Sequence, residues 1–338
     1  MKNIFGAEVI QKEGGKVIRR EKPEFLVGTS GWSYTDWVGP FYPEKTPKGF
    51  SRLGFYAGFF DCVEVNSTFY RHFPADVGEK WLAEVDGNPN FVFVIKLFRD
   101  FTHGAADSRS DFEMNRKIVL SFLRPFLERE KLGGVLVQCS EFFKDTKTSR
   151  DRISMLLEEF SDANLFFELR HVSWYDDEAR HFIREKNANV IAIDQPGLGG
   201  MVGLDTSILG RIGYIRLHGR NANMWQESRR LLGKREEASG GGKRDEHDRN
   251  ARYDYLYNGD ELDQIEREIL KVKERCDRIY VVANNHPMGK AVANALELIK
   301  RVRSREKVRM PDTVIKYFPE LERFALRVEA SPAGDLFQ

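Results

Sequence analysis

Residues 212–218 read IGYIRLH, an apolar run that turns polar only at its end, with Tyr214, Arg216 and His218 on one parity and Ile215 and Leu217 on the other. Successive strand side chains point to opposite faces, so one face of this segment is oily and the other finishes in a guanidinium and an imidazole. The same pattern recurs at 25–29 (FLVGT), 62–66 (CVEVN), 91–95 (FVFVI), 135–138 (VLVQ), 165–169 (LFFEL), 190–194 (VIAID) and 279–284 (IYVVAN). Each run ends in or beside a polar residue: Ser30, Glu64 with Asn66, Lys96, Gln138, Glu168 with Arg170, Asp194, Arg216 with His218, and Asn284 with Asn285. Segments 50–60, 76–85, 111–130, 149–160, 176–187, 260–276 and 289–303 have helical composition and lie between or after these runs. About eight such strand-helix units describe an α/β chain folded as a (β/α)8 TIM-type barrel, whose βα loops build one site at the C-terminal ends of the strands.

An eight-fold barrel takes roughly 250 residues as one domain, so 338 residues divide into an N-terminal extension (1–24), a barrel (25–305) and a C-terminal segment with its tail (306–338). A short hairpin is expected around Gly14-Gly15. Ser149 reads as a helix N-cap, and Gly133-Gly134 as the stop of the 111–130 helix. The sixth connection, 195–211, is glycine-rich and predicts a short or irregular link. After the seventh strand, residues 219–258 depart from the rhythm, and the glycine and charge content of 233–251 predicts an insertion at the rim of the site.

Hydrophobic residues make up 41% and charged residues 31%, with a formal charge of +1, which supplies a core but no global attraction to nucleic acid or membrane. The three cysteines, Cys62, Cys139 and Cys276, have neither metal-ligand spacing nor a disulfide framework and read as buried reduced thiols. The N-terminus is too charged for a signal peptide, and no stretch approaches the ~18 apolar residues of a membrane span. A cytoplasmic protein is the expectation.

Parity selects the interior. It groups Cys62, Glu64 and Asn66; Phe166, Glu168 and Arg170; and Tyr214, Arg216 and His218, with Asp194, Lys96 and Gln138 at comparable strand ends. Charges inside a barrel cost several kcal/mol unless paired or ligand-bound. One reading is therefore a self-satisfied ion-pair network; the other is a polar active site. Glu64, Glu168, Asp194 and His218 are also candidate ligands for Mg²⁺, Mn²⁺ or Zn²⁺. Lys96, Arg170 and Arg216 at the same level suit an anionic substrate instead, arginine holding phosphate or carboxylate through two parallel bonds. Trp32, Trp37, Trp174 and Trp225 fall in βα loops, where aromatic rings suit stacking on a base or a sugar. His103, His171 and His286 are loop histidines with either a backbone-bonding or a binding role.

The loop wording GTSGWSYTDWVGPFYP (28–43), VEVNSTFYR (63–71), FELRHVSW (167–174), YIRLHGR (214–220), RYDYLYN (252–258) and NNHPMGKAVANA (284–295) resembles the DUF72 family, also called YecE-like proteins, from about Leu26 to Lys300. The resemblance implies a TIM barrel related in shape to xylose isomerase-like and endonuclease IV-like barrels, and it implies no reaction. Positions that match the family pattern are Gly31, Trp32, Tyr34, Trp37, Glu64, Asn66, Ser67, Phe69, Tyr70, Glu168, Arg170, His171, Trp174, Asp194, Arg216, His218, Gly219, Arg220, Trp225, Tyr255, Asn284 and Asn285. The N-terminal extension and the 233–251 insertion depart from that pattern.

These observations converge on an enzyme acting on an anionic, phosphate-bearing substrate, a nucleic-acid component among the candidates, by hydrolysis or phosphoester cleavage. Glu64 or Glu168 is then the general base or a metal ligand, Asp194 and His218 assist, and Arg170 and Arg216 neutralise developing charge. Trp32, Tyr34, Trp37, Asn66, Tyr70, Lys96, His171, Trp174, Arg220, Trp225, Asn284 and Asn285 complete the candidate substrate contacts. A sugar isomerase or epimerase, with Glu64 and Glu168 exchanging a proton, is the alternative. A noncatalytic nucleic-acid binder using the basic residues of 229–252, among them Arg229, Arg230, Lys234, Arg235, Lys243, Arg244, Arg249 and Arg252, is the third reading. The tail residues Asp335, Leu336 and Phe337 resemble the end of a bacterial sliding-clamp binding peptide.

Overall fold

The computed structural model describes residues 12–13, 16–17, 24–103, 109–237 and 251–329. Eight strands form the central sheet: β1 (Glu24–Ser30), β2 (Cys62–Val65), β3 (Val92–Lys96), β4 (Leu132–Gln138), β5 (Leu165–Glu168), β6 in two pieces (Asn189–Val190 and Ala192–Asp194), β7 (Ile212–Leu217) and β8 (Arg278–Ala283). Every pairing among them is parallel. The first piece of β6 pairs with β5 and the second with β7, on either side of Ile191, so one strand brings the two edges of the sheet together and the barrel closes through it.

Two apolar layers follow from strand parity. Leu26, Cys62, Val94, Leu136, Phe166, Ile193, Tyr214, Tyr280 and Val282 fill the barrel, with Phe166, Tyr214 and Tyr280 in mutual edge contact. The opposite parity, including Val27, Val63, Ile95, Val137, Phe167, Ile215 and Val281, packs outward against the helices. At Gly134 a Cβ would run into the Phe166 ring and the Asn164 carbonyl, and the β3–β4 register shifts beside it, between Phe93 and Val94. Glycine is what lets β4 enter the barrel at that point.

The helices are α1 (Arg52–Ala57), α2 (Ala75–Glu84), α3 (Arg109–Glu128), α4 (Lys147–Glu159), α5 (Asp177–Glu185), α6 (Ala222–Glu237), α7 (Gly259–Val272) and α8 (Lys290–Val302). In α7 a capping box, Asn258 Oδ1 accepting from Glu261 N and Glu261 Oε2 from Asn258 N, both at 3.0 Å, fixes the start, and Leu262, Ile265, Ile269 and Val272 make the buried stripe.

Three local expectations are corrected. The N-cap of α4 is Thr146, which accepts from Ser149 N, so Ser149 sits inside the first turn. The helix α3 stops at left-handed Glu130, with Lys131 N bonded to Phe126 O at 2.8 Å, and Gly133 and Gly134 belong to β4. Beyond β7, α6 runs through 222–237 and so takes in the first residues, 233–237, of the 233–251 stretch expected to be an insertion rather than a packed element; its residues are mostly good helix formers, and Glu227 and Arg230 pair one turn apart. The sixth connection holds only a 3₁₀ turn at Thr206–Ile208, as its glycines predict.

Lys12–Glu13 and Lys16–Val17 pair antiparallel around Gly14-Gly15. At the other end β9 (Val308–Pro311), α9 (Asp312–Tyr317) and β10 (Ala325–Val328) pack on the barrel through Val308, Met310, Val314, Phe318 and Phe324. The remainder of the N-terminal extension, residues 238–250 of the insertion and the Asp335-Leu336-Phe337 tail lie outside the described residues. Among the described residues no helix is long and apolar enough to cross a membrane, and all three cysteines are free and buried.

Candidate functional site

Above the apolar plug, the next inward positions carry charge. Ser30 faces Glu64 and Gln138 faces Glu168 across the ladders, and Arg216 on β7 reaches both pairs. Its Nε donates to Glu64 Oε2 at 2.8 Å and its Nη2 to Glu64 Oε1 at 2.6 Å; its Nη1 donates to Glu168 Oε2 and to Gln138 Oε1, the latter at 3.2 Å. Tyr214 OH donates to Glu64 Oε2 at 2.6 Å, Ser30 Oγ donates to Glu64 Oε1, and Asn66 Nδ2 donates to Ser30 Oγ at 2.6 Å. Arg170 donates through Nε to Glu168 Oε1 at 2.7 Å. Glu64, Glu168 and Arg216 are at most 2% exposed, so two carboxylates and two guanidiniums neutralise one another with little solvent.

That geometry changes the chemistry expected of the carboxylates. Burial alone would raise the Glu64 pKa, yet Arg216, Ser30 and Tyr214 hold it below the ordinary value. Burial acts the same way on Glu168, and Arg170 and Arg216 hold it well below. All four carboxylate oxygens accept hydrogen bonds, so both groups are weak bases that fix guanidiniums in place. Among the described residues no group of three His, Cys, Asp or Glu side chains could hold a metal ion. The candidate set Glu64, Glu168, Asp194 and His218 therefore does not fit a divalent metal.

Asp194 is the member that leaves the set. Ile193 faces the barrel interior, so the next residue faces out. Its carboxylate takes Arg220 Nη2 at 2.8 Å and Nε at 3.0 Å, and Tyr257 OH at 2.6 Å. This separate cluster ties β6 to the loop after β7 and to the approach to α7.

His218 and Lys96 complete the interior polar layer. With the Asn284 amide donating to His218 Nδ1 at 2.8 Å, the imidazole carries its proton on Nε2, which lies 3.5 Å from Glu168 Oε2. Burial, with Arg216 and Arg170 adding to it against Glu168, lowers the His218 pKa to about 3, so the ring is a neutral donor. Lys96 donates to Gln138 Oε1 at 3.0 Å and lies 4.1 Å from the centre of the Phe69 ring. Burial first, then Arg216, lowers its pKa to about 7.

Over this layer sits a residue that the sequence reading did not single out. Tyr253, in the 3₁₀ turn Ala251–Tyr253, has its ring 5.8 Å from His218, 6.0 Å from Trp225 and 5.8 Å from His286. Arg252 stacks at 4.9 Å on Trp225 and 4.7 Å on Tyr253. The only sequence signal was its place in RYDYLYN, where Tyr255 drew attention instead. Two nitrogens here, Trp225 Nε1 and Arg252 Nε, are buried with no hydrogen-bond acceptor among the described residues, while Arg170 Nη2 and His218 Nε2 have only the Glu168 carboxylate beside them, neither in an aligned hydrogen bond.

Other predicted contacts are structural. Trp37 and Trp174 are fully buried and donate to the His286 and Phe143 carbonyls at 2.8 and 2.7 Å, so neither ring is on the rim for stacking. Trp225 is buried under Arg252, and Trp32 is partly buried against Trp81. Tyr34 donates to Ser30 O at 2.6 Å and stacks on His286 at 4.4 Å. His171 Nδ1 accepts from Ser173 N, and Asn285 Nδ2 donates to Tyr255 O and Asn294. His103 packs its edge on Phe69, and Tyr70 is 66% exposed on the same loop.

The model of the family described as "Protein of unknown function DUF72" matches residues 26–316, and the chain belongs to that family. It is 26% identical to the UPF0759 protein YunF of Bacillus subtilis over 285 residues, 81% of this chain and 93% of that protein. Among solved structures it is similar to a DUF72 family protein from Thermotoga maritima, with 27% identity, TM-score 0.67 and coverage of 83% of this chain and 99% of the other. A DUF72 family protein from Enterococcus faecalis gives 25% identity and TM-score 0.67, covering 82% and 95%.

Proposed function

We propose that this DUF72 barrel is an enzyme that takes a small phosphate-bearing or otherwise anionic substrate at the C-terminal mouth and hydrolyses a phosphoester. The observation that carries the reading is the pair of buried N–H donors without a protein acceptor, Trp225 Nε1 and Arg252 Nε, beside Tyr253 and His218. A buried donor left unpaired costs about 1–3 kcal/mol, and a bound oxyanion, acceptor on every side, removes that cost for both donors at once. Arg170 and Arg216 supply charge already fixed by Glu64 and Glu168, so little reorganisation accompanies the build-up of negative charge on a phosphoryl group.

Within this reading the roles differ from a carboxylate-base scheme. Glu64 and Glu168 position the guanidiniums. His218 donates from Nε2 as a neutral imidazole. Lys96, with a pKa of about 7, is matched to neutral pH and takes the proton of the attacking water.

Inorganic phosphate is the first probe. At 100 times its Kd it should raise the unfolding free energy by about 2.7 kcal/mol, visible as a thermal shift. Trp225→Phe and Arg252→Ala should each weaken phosphate on the order of tenfold or more, because each loses a bond to a charged partner worth about 1.5–3 kcal/mol. No shift with millimolar phosphate, or full affinity in both variants, overturns the reading.

A further inference from the structure

Above the tier of Glu64, Glu168 and Arg216, the next inward positions include two amides, Asn66 after β2 and Gln195 after β6. Asn66 has the parity of Cys62 and Glu64, and its Nδ2 donates to Ser30 Oγ at 2.6 Å. The single hydroxyl proton of Ser30 goes to Glu64 Oε1, so Ser30 Oγ accepts from Asn66 and the amide has one orientation. Gln195 has the parity of Ile191 and Ile193, both in the barrel interior. The bond from His218 N to Asp194 O at 2.9 Å carries the β6–β7 ladder past its last pair, Leu217 with Asp194, and puts Gln195 beside His218. Gln195 is 4% exposed, and its Nε2 donates to Val202 O at 3.0 Å. A carbonyl only accepts, so this amide too has one orientation. The oxygen of each is left over: Asn66 Oδ1 and Gln195 Oε1 are buried and receive no hydrogen bond among the described residues.

The mouth thus presents unpaired groups of both kinds. Trp225 Nε1 and Arg252 Nε are donors and call for an anionic oxygen, whereas Asn66 Oδ1 and Gln195 Oε1 are acceptors and call for a hydroxyl. A phosphate dianion has no proton to give, so phosphate alone serves the first pair and leaves the second unserved. Strands β2 and β6 stand four places apart in a ring of eight, so one hydroxyl does not reach both amides. Resting on the phosphoester reading above, we propose that the substrate is a sugar or polyol phosphate, its phosphate held at Trp225 and Arg252 and at least two of its hydroxyls donating to Asn66 Oδ1 and Gln195 Oε1. The Trp225 ring lies 6.0 Å from that of His218, whose ladder neighbour is Gln195, so the phosphate and one hydroxyl bind on the β6–β7 side and the other hydroxyl binds across the mouth at Asn66. A hydroxyl that relieves a buried acceptor is what separates this class from a phosphate carried on an apolar group.

Calorimetry on the full-length protein compares ethyl phosphate, whose organic group carries no hydroxyl, with glycerol 3-phosphate, ribose 5-phosphate and glucose 6-phosphate. The best of these should bind on the order of 100-fold more tightly than ethyl phosphate, about tenfold for each relieved acceptor. That ratio should drop about tenfold in Gln195→Met and about tenfold in Asn66→Leu. Each ratio is taken on one protein, so a general loss of stability cancels from it. Deoxy analogues of the best binder, each lacking one hydroxyl, repeat the test with the protein unaltered, and two of them should lose about tenfold. A ratio below about tenfold for all three ligands, or one undiminished in both variants and every deoxy analogue, overturns the inference and leaves the phosphoester reading standing. A wild type that binds neither ethyl phosphate nor inorganic phosphate refutes the phosphoester reading itself, and the sugar-phosphate assignment falls with it.

Discussion

Replacing Arg216 by methionine tests whether the interior of the barrel is organised as described. Methionine keeps much of the side-chain volume and removes the guanidinium, leaving Glu64 without its two-bond partner and Glu168 with Arg170 alone. Both carboxylates stay fully buried. Breaking a buried pair by removing one partner costs about 3–5 kcal/mol, mainly from the charge left behind. The pH dependence gives a sharper signature than the magnitude. In the wild type both glutamates have depressed pKa values. Their stabilisation is present above the unfolded value of about 4.3 and is lost as pH falls through the folded values. In the variant the unpaired, buried Glu64 has a raised pKa, so it protonates early and its penalty disappears in acid. The deficit in urea denaturation should therefore be largest at pH 7 and shrink toward pH 4. A deficit below about 1 kcal/mol at pH 7, or one that is constant or grows as pH falls, would refute a structural role for Arg216 as the shared cation.

Two further outcomes follow from neighbouring groups. Lys96 is neutralised in the folded state above about pH 7, whereas an unfolded lysine keeps its proton to about 10.4. The unfolded state binds the extra proton across that window, so this residue makes stability rise with pH there, and Lys96→Met should flatten the rise in a urea-midpoint series. Sulfate, whose charge is constant near neutrality, should bind more weakly as pH rises through about 7 in the wild type and show no such step in Lys96→Met. Asp194→Asn should lower stability on the order of 1–3 kcal/mol by weakening the bonds to Arg220 and Tyr257. It should leave sulfate affinity unchanged in calorimetry; a clear loss of affinity would return Asp194 to the site.

What the sequence made legible was whatever obeys a period. The strands and the inward grouping of Glu64, Glu168, Arg170, Arg216 and His218 follow from alternation of two, and the barrel from the count of about eight strand-helix units. Asp194 was misplaced because its position at a strand end was weighed without its parity, although Ile191 and Ile193 already put it outside. The start of the insertion was set too early, at 233, because glycine and mixed charge suggest irregular chain there, while the helix that runs to 237 is begun upstream by pairs such as Glu227–Arg230 and by burial of Trp225. Tyr253 follows no period at all. It lies in a single 3₁₀ turn, and its neighbours His218, Trp225 and His286 come from three other places in the chain.

The interior network and the mouth are two parts of one electrostatic arrangement. Arginines taken into a barrel without carboxylates would cost several kcal/mol each, and carboxylates free to act as bases would not hold them still. Full use of the Glu64 and Glu168 oxygens solves the first problem and removes these residues from proton transfer. Proton transfer then passes to a group whose charge is not already committed. Lys96 meets that condition because burial brings it to about pH 7. A mouth built on carboxylate bases would show the reverse, with raised glutamate pKa values and an ordinary lysine. The titration of Lys96 against the silence of Glu64 and Glu168 thus separates the two schemes before any substrate is known.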